Sequence, residues 1–302
     1  MRPQHSTDIR ATFMLIAAAL ALSACGGGGG GGGGLTATSA PSPTNGQFAL
    51  SQTVNGRSQL SGSAARVSQT GATTGTATQV QGTYVHNTQA LTLNDGSYNF
   101  SDQNGPVGGT LYDDGSAIVD TLVNIQFSTF DFVFPYIQGY RFGGQDFFSY
   151  GAVGIATNAA NVPSTGTASF TGVSFGQINS SLLTAPKVDY FAGNATVSAD
   201  FGAGQVDVAM GITSTIDING NATIAPIDAI SIDNMSITGA AFSGGKLTTS
   251  LGGVGVNVTG AGTVTTAQGQ FYSATGSAPD EVGGSVVSQG NNGLVAAAFI
   301  AD

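Results

Sequence analysis

From Ala195 to Phe201 the chain alternates, with Ala195, Val197, Ala199 and Phe201 on one parity and Thr196, Ser198 and Asp200 on the other. Period-two alternation of this kind predicts a half-buried β-strand. Gly202-Ala203-Gly204 reads as a three-residue loop into a second strand carrying Val206, Val208 and Met210. Ile216 and Ile218 flank Asp217, after which Asn219-Gly220 predicts another turn. Further Asn-Gly and Asp-Gly pairs stand at Asn45-Gly46, Asn55-Gly56, Asp95-Gly96, Asn104-Gly105, Asp114-Gly115 and Asn292-Gly293. These dipeptides supply the positive φ angles that type I′ hairpin turns require. Ile230 and Ile232 change parity relative to Met235 and Ile237 across Asp233-Asn234, which predicts a bulge. No segment carries a convincing helical period, so the pattern predicts an all-β chain of antiparallel strands.

The aromatic residues sharpen that picture. Phe127–Tyr150 holds ten Phe and Tyr residues, and Phe130, Phe132, Phe134, Tyr136, Tyr140 and Phe142 share one parity. On a strand they form a single aromatic face, with Pro135 confining that strand to an edge, an end or a bulge. Such a face serves either core and interface packing or a ligand surface, where Tyr and Phe are enriched. Charged residues make up 8% of the chain, against about 25% in ordinary soluble domains. Open sheet edges are usually blunted by charge, so a chain this poor in charge favours a closed barrel, which has no edges.

The N-terminus has a different pattern. Arg2 and Arg10 precede a mostly apolar run, Ala11–Leu22, which is too short to span a bilayer. A basic leader, a short apolar run and small residues describe a secretory signal peptide over residues 1–24. Leu22-Ser23-Ala24-Cys25 resembles the bacterial lipobox, which implies cleavage before Cys25 and lipidation there with diacylglyceryl and palmitate-type acyl chains. Three chains at about 0.8 kcal/mol per buried CH₂ would anchor the protein durably. Residues 25–44 then form the lipidated Cys25 and a tether whose nine consecutive glycines, Gly26–Gly34, have nothing to bury. Cys25 is the chain's single cysteine, so the exported part folds without disulfides. The net charge is −10, and losing a leader that holds Arg2, Arg10 and Asp8 deepens it by one. Nucleic acid is thereby excluded as a partner, because phosphate binding rests on clustered Lys and Arg.

Three stretches carry a family resemblance. Val162-Pro163-Ser164-Thr165-Gly166-Thr167-Ala168-Ser169-Phe170-Thr171-Gly172, Ala199-Asp200-Phe201-Gly202-Ala203-Gly204, and Gly269-Gln270-Phe271-Tyr272 followed by Ala278-Pro279-Asp280-Glu281-Val282-Gly283-Gly284 and Ala297-Ala298-Phe299-Ile300-Ala301 resemble the barrel domain of transferrin-binding protein B-like lipoproteins. That group includes factor H-binding protein. The resemblance implies a C-terminal eight-stranded antiparallel β-barrel over residues 150–302. A smaller β-rich, handle-like region over residues 45–149 resembles the family by position and strand content alone. Ser273-Ala274-Thr275-Gly276 departs from the family, which usually places a tight Gly-Pro turn there.

Catalytic chemistry finds little support. Outside the leader the chain has one histidine, His86, and one glutamate, Glu281; a nucleophile–base–orienter set needs His or an equivalent base, and the only His sits beside Tyr84 in an ordinary strand-like run, so the chain is not expected to be an enzyme. Haem takes His or Tyr ligands, and some relatives capture haem. The ligand-binding candidates are His86, Tyr84, Tyr136 and Tyr140, with Tyr98 as the alternative to Tyr84 as a second haem ligand beside His86. Asp217-Ile218-Asn219-Gly220-Asn221 fails the calcium-loop pattern at Ala222 and Asp228 and reads as a turn. Asp113-Asp114-Gly115 likewise reads as a surface turn. The expected function is a cell-surface, outer-membrane lipoprotein that binds a host protein or an iron- or haem-type solute through its barrel and loops. Its expected partners are the membrane, through its lipid, and an outer-membrane assembly modulator. The competing reading is a structural or adhesive envelope lipoprotein without a small-molecule ligand.

Overall fold

The computed structural model describes residues 57–68, 75–85, 90–94, 99–102, 110–113, 117–123, 130–142, 145–181, 187–217, 221–274 and 276–302. The leader, Cys25, the glycine tether and His86 lie outside the described residues, as do all the Asn-Gly and Asp-Gly turns except Asn292-Gly293.

Two antiparallel sheets make up the described chain. The first contains β1 (Arg57–Ser68), β2 (Gly75–Val85), β3 (Ala90–Asn94), β4 (Asn99–Asp102), β5 (Thr110–Asp113), β6 (Ala117–Val123), β7 (Val133–Phe142) and β8 (Gln145–Gly154). Their order across the sheet is β4-β3-β2-β1-β8-β7-β6-β5. The consecutive strands β4 and β5 therefore occupy opposite edges. Eight flat strands would separate those edges by about 34 Å. The eight-residue step from Asp102 to Thr110 reaches at most about 29 Å, so the sheet has to curl. Leu60, Ala64, Val80, Tyr84, Leu93, Phe134, Tyr136, Val153 and Ile155 form one buried cluster on a single face, joining β3 to β7 across the strands between them. Pro135 obeys its restriction: β6 pairs with β7 only from Tyr136 to Phe142, which leaves Pro135 beyond that ladder.

The second sheet contains β9 (Thr167–Ser180), β10 (Lys187–Asp200), β11 (Gln205–Ile216), β12 (Ala229–Thr238), β13 (Ala241–Leu251), β14 (Val254–Gly255), β15 (Val264–Tyr272), β16 (Glu281–Gly290) and β17 (Gly293–Ala301). The pairing of β12 with β13, and of β17 with β9, closes eight of these strands into a barrel, with β14 appended to β13. The alternation foreseen in β10 holds: Ala195, Val197, Ala199 and Phe201 are buried and Thr196, Ser198 and Asp200 are exposed. The barrel interior is filled by side chains, including Phe170, Phe191, Phe201, Phe242, Phe271 and Phe299. Asp200 pairs with Gln205, so the connecting loop is Phe201–Gly204, one residue longer than the pattern predicted. The last turn also shifts by one, to Asn291-Asn292, because Gly290 pairs with Gly293.

The foreseen bulge lies at Asn234, the one non-glycine described residue with positive φ, +61°. Val206 pairs with Met235 and Val208 with Ile232, which gives β12 one residue more than β11. The Asp207 carboxylate accepts the Asn234 N–H at 2.7 Å. Opposite it, Gly244 and Gly245 both have φ near +85°, and the β13–β15 ladder stops after Ser243↔Gln268. A Cβ on Gly245 would stand 2.8 Å from the Asp233 carbonyl oxygen. Gly245→Ala is expected to destabilise the barrel by about 1–3 kcal/mol, from left-handed backbone strain and crowding together. Urea unfolding of the two proteins measures it, and Gly252→Ala, with nothing within 4 Å, shows the backbone part alone. Beyond the bend the chain before β15 packs into that end of the barrel. Val258 is buried with its carbonyl accepting the Ser180 hydroxyl at 3.2 Å, and the Thr259 carbonyl accepts the Asn292 N–H at 2.8 Å.

The other face of the first sheet packs on the barrel wall. Ala65, Val67, Ile137, Phe148 and Tyr150 meet Phe175, Tyr190, Val287, Leu294, Ala296 and Ala298. Phe148 and Tyr190 make an edge-on ring contact at 5.4 Å. Gly283 permits the close approach, since a Cβ there would lie 2.6 Å from the Ala152 Cβ.

Candidate functional site

On the buried face of the curled first sheet, one transverse row is polar. Arg66 on β1 stands opposite Ser149 on β8, and Ser149 stands opposite Gln138 on β7. The next row, toward Phe134, is Ala64, Gly151 and Tyr136. Sequence parity explains the placement, because Arg66 follows Ala64 and Gln138 follows Tyr136 at intervals of two. Gln138 and Ser149 are both fully buried. The Tyr136 hydroxyl donates to Gln138 Oε1, which fixes the amide so that its Nε2 faces away from Tyr136. Among the described residues, Gln138 Nε2 and the Ser149 hydroxyl have no hydrogen-bonding partner. The Arg66 Nε is buried beside them.

The structure brings two of the foreseen candidates together: Tyr84 and Tyr136 belong to the same buried cluster. Burial pushes the Tyr84 hydroxyl above the ordinary phenol range, which keeps it a neutral donor. Tyr140 holds the register position opposite Phe147, the half-buried ring packed against that cluster. Gln138, Ser149 and Arg66 escaped the sequence reading. The signal for Gln138 was present, as the one polar residue at an inward position of the Phe134, Tyr136, Tyr140 series.

A second concentration of polar chemistry joins the two sheets. Glu281, at the start of β16 and 4% exposed, accepts backbone N–H groups from Asp131, Phe132 at 2.8 Å and Val133 at 2.7 Å. Burial raises its carboxyl to about 8, the three N–H donors pull the other way, and the Asp131 charge adds to the rise. Burial also raises Asp131, helped by Asp280 and Asp302, and raises Asp302, helped by Asp280. Alongside, the Ile155 N–H donates to the Phe132 carbonyl at 2.8 Å and the Thr157 N–H to the Phe271 carbonyl at 2.9 Å. Phe130, Phe132, Val133, Ala152, Val173, Tyr272, Ala274 and Ile300 close over this joint as an apolar cluster. Among the described residues no group of three or more His, Cys, Asp or Glu is placed to hold a metal ion.

No protein-family model and no curated protein matches this chain. Solved structures do. A double mutant of transferrin binding protein B from Haemophilus parasuis Hp5 matches at 16% identity with a TM-score of 0.50, covering 79% of this chain and 44% of that one. Intact Ap-TbpB, with its N and C lobes, matches at 16% identity and a TM-score of 0.49, covering 80% and 45%. Isotype 1 transferrin binding protein B from serogroup B Neisseria meningitidis matches at 16% identity and 0.46, covering 80% and 43%. The chain thus spans less than half the length of these structures. The likeness to the Haemophilus parasuis protein bears out the fold implied by the sequence resemblance, a closed eight-stranded barrel with a separate smaller sheet.

Proposed function

We propose that the chain is a lipid-anchored protein of the outer-membrane surface that captures a host protein or an iron-bearing solute. The shared fold with a transferrin binding protein carries the reading, because that fold presents a host-protein binder in the neighbour. The filled barrel supports it too: an interior packed with phenylalanines leaves the loops and outer walls as the binding surface, where recognition residues usually sit. Leu22-Ser23-Ala24-Cys25 supplies the anchor and Gly26–Gly34 the slack that holds the domains clear of the headgroups. The partner class is an extracellular iron carrier, for which iron-loaded transferrin is the first probe.

Cys25→Ser is expected to move the protein from the membrane pellet to the soluble fraction. Protease applied to intact cells is expected to remove the wild-type protein together with the cells' capture of labelled iron-loaded transferrin. A Cys25→Ser protein that stays in the membrane overturns the anchor. Full-length protein surviving the protease overturns surface exposure, and cells that capture no labelled transferrin overturn that partner.

A further inference from the structure

We propose that a split in the barrel wall between β13 and β15 takes up an extended acidic peptide, which adds to the free edge of β15 as a further strand. The two strands pair only from Ala241↔Gln270 to Ser243↔Gln268. Both then run on with one edge unpaired: β13 stays on β12 as far as Ala229↔Ser250, and β15 stays on β16 back to Val264↔Gln289. Gly244 and Gly245, with φ near +85°, turn β13 away. Phe271 donates its N–H to the Ala240 carbonyl at 2.9 Å. Peptide groups alternate sides along a strand, so Ala267 and Thr265 also aim their N–H and C=O into the split. From the other side, the Thr249 carbonyl accepts the Val256 N–H at 2.8 Å, which sets Leu247, two residues earlier, facing the split as well. No described backbone group pairs with Leu247, Thr265 or Ala267 across it.

The chain that could fold over this edge is held elsewhere. Asn257 Oδ1 accepts the Gly260 N–H at 2.9 Å and the Thr259 hydroxyl at 3.0 Å. The Thr259 and Ala261 carbonyls accept the N–H groups of Asn292 and Asn291, which pins the loop before β15 to the turn between β16 and β17. Leu247 and Val256, half-buried against the barrel core, offer apolar contacts beneath the split. Charge selects the partner. Open edges are ordinarily blunted by charge, yet Lys246 is the only charged residue from Ala241 to Tyr272. It is exposed, as are Thr248, Val264 and Thr266. Asp233 stands opposite it on β12, on the side away from the split. Charges more than about 8 Å apart are largely screened at physiological salt, so Lys246 outweighs the net charge of −10 there. A strand that alternates small apolar with acidic residues sets its apolar side chains on Leu247 and Val256 and its carboxylates outward beside Lys246. Main-chain hydrogen bonds give such an added strand its affinity, and the alternate side chains give it specificity. The split belongs to the barrel alone and does not rest on capture of an iron carrier.

The test is fluorescence anisotropy of a labelled short peptide alternating valine with glutamate, titrated with the full chain. Two copies serve as controls, one with lysine in place of glutamate and one N-methylated at alternate backbone nitrogens. The acidic peptide is expected to bind saturably, the lysine copy at least several-fold more weakly, and the N-methylated copy not at all. Thr265→Pro removes an N–H that faces the split and leaves the ladder to β16 intact. It should weaken the acidic peptide by about ten-fold, the loss of one main-chain hydrogen bond and its neighbour's alignment. Lys246→Gln should abolish the preference for glutamate over lysine, and it keeps the test valid if Thr265→Pro fails to fold. No saturable binding, equal binding of the N-methylated copy, a lysine copy bound as tightly as the acidic one, or an unchanged affinity in a folded Thr265→Pro would each overturn the proposal. Self-association of the chain that Thr265→Pro abolishes would assign the edge to a second copy and overturn it too.

Discussion

Phe271→Ala is expected to lower the unfolding free energy by about 3–5 kcal/mol, the usual cost of truncating a fully buried aromatic ring. Phe271 has no exposed surface, and it touches three other rings. Its centroid lies 5.3 Å from Phe242, 5.6 Å from Phe201 and 6.3 Å from Phe170. Each such pair contributes about 0.5–1.5 kcal/mol beyond area burial. Its place in the topology concentrates the loss. Phe271 sits on β15, which is joined to β13 by only three register pairs, so ring packing does there what a longer ladder does elsewhere. Thermal unfolding should fall by on the order of 10 °C for a chain of this size. Val264→Ala, on the same strand but 59% exposed, should change stability by less than about 0.5 kcal/mol. A Phe271→Ala protein as stable as its parent would mean that the barrel interior repacks freely around the gap.

Phe271 and its neighbours also mark where sequence patterning suffices. Strands whose two faces meet different media announce themselves, so the β10–β11 hairpin and the Asn234 bulge were legible from parity alone. The barrel's closure was not. It depends on β17 pairing with β9 from Gly293↔Ser180 to Ala301↔Gly172, a contact between segments more than a hundred residues apart that leaves no local period. The resemblance of the C-terminal motifs supplied what patterning could not. The aromatic run shows a different limit. Parity grouped Phe130, Phe132, Phe134 and Tyr136 on one face, but Phe134 and Tyr136 fill the first sheet's own core while Phe130 and Phe132 join the cluster against the barrel. Phe130 and Phe132 precede the start of β7, outside the regular ladder, so parity says nothing of which partner they meet. Gln138 was visible as a polar interruption, yet the orphan status of its amide needs the neighbouring strands to be seen. Glu281 was visible only as the sole glutamate, since the groups that bind it lie about 150 residues earlier in the chain.

Removing that glutamate should uncouple the two sheets. Glu281→Ala leaves the N–H groups of Asp131, Phe132 and Val133 without their acceptor. Buried donors deprived of a partner cost about 1–3 kcal/mol each, so a loss of about 3–5 kcal/mol is expected once water relieves part of it. Glu281→Gln keeps one oxygen and should lose roughly half as much. The same residue sets a pH dependence of definite sign. Its folded carboxyl titrates at about 8, above the ordinary value of 4.5, so between these values the folded protein binds a proton that the unfolded chain has released. Stability from this group is complete below about pH 4.5, declines as pH rises through 8, and is level beyond. Its steepest slope is about 1.4 kcal/mol per pH unit for one proton. Asp131 and Asp302, whose carboxyls are raised as well, add to the same sign. Urea unfolding from pH 5 to 9 should therefore show the parent weakening with rising pH and Glu281→Gln weakening much less. Equal slopes in the two proteins would assign the dependence to the surrounding aspartates. An increase of the parent's stability over the same range would mean that the three N–H donors outweigh burial and hold Glu281 ionised in the folded state.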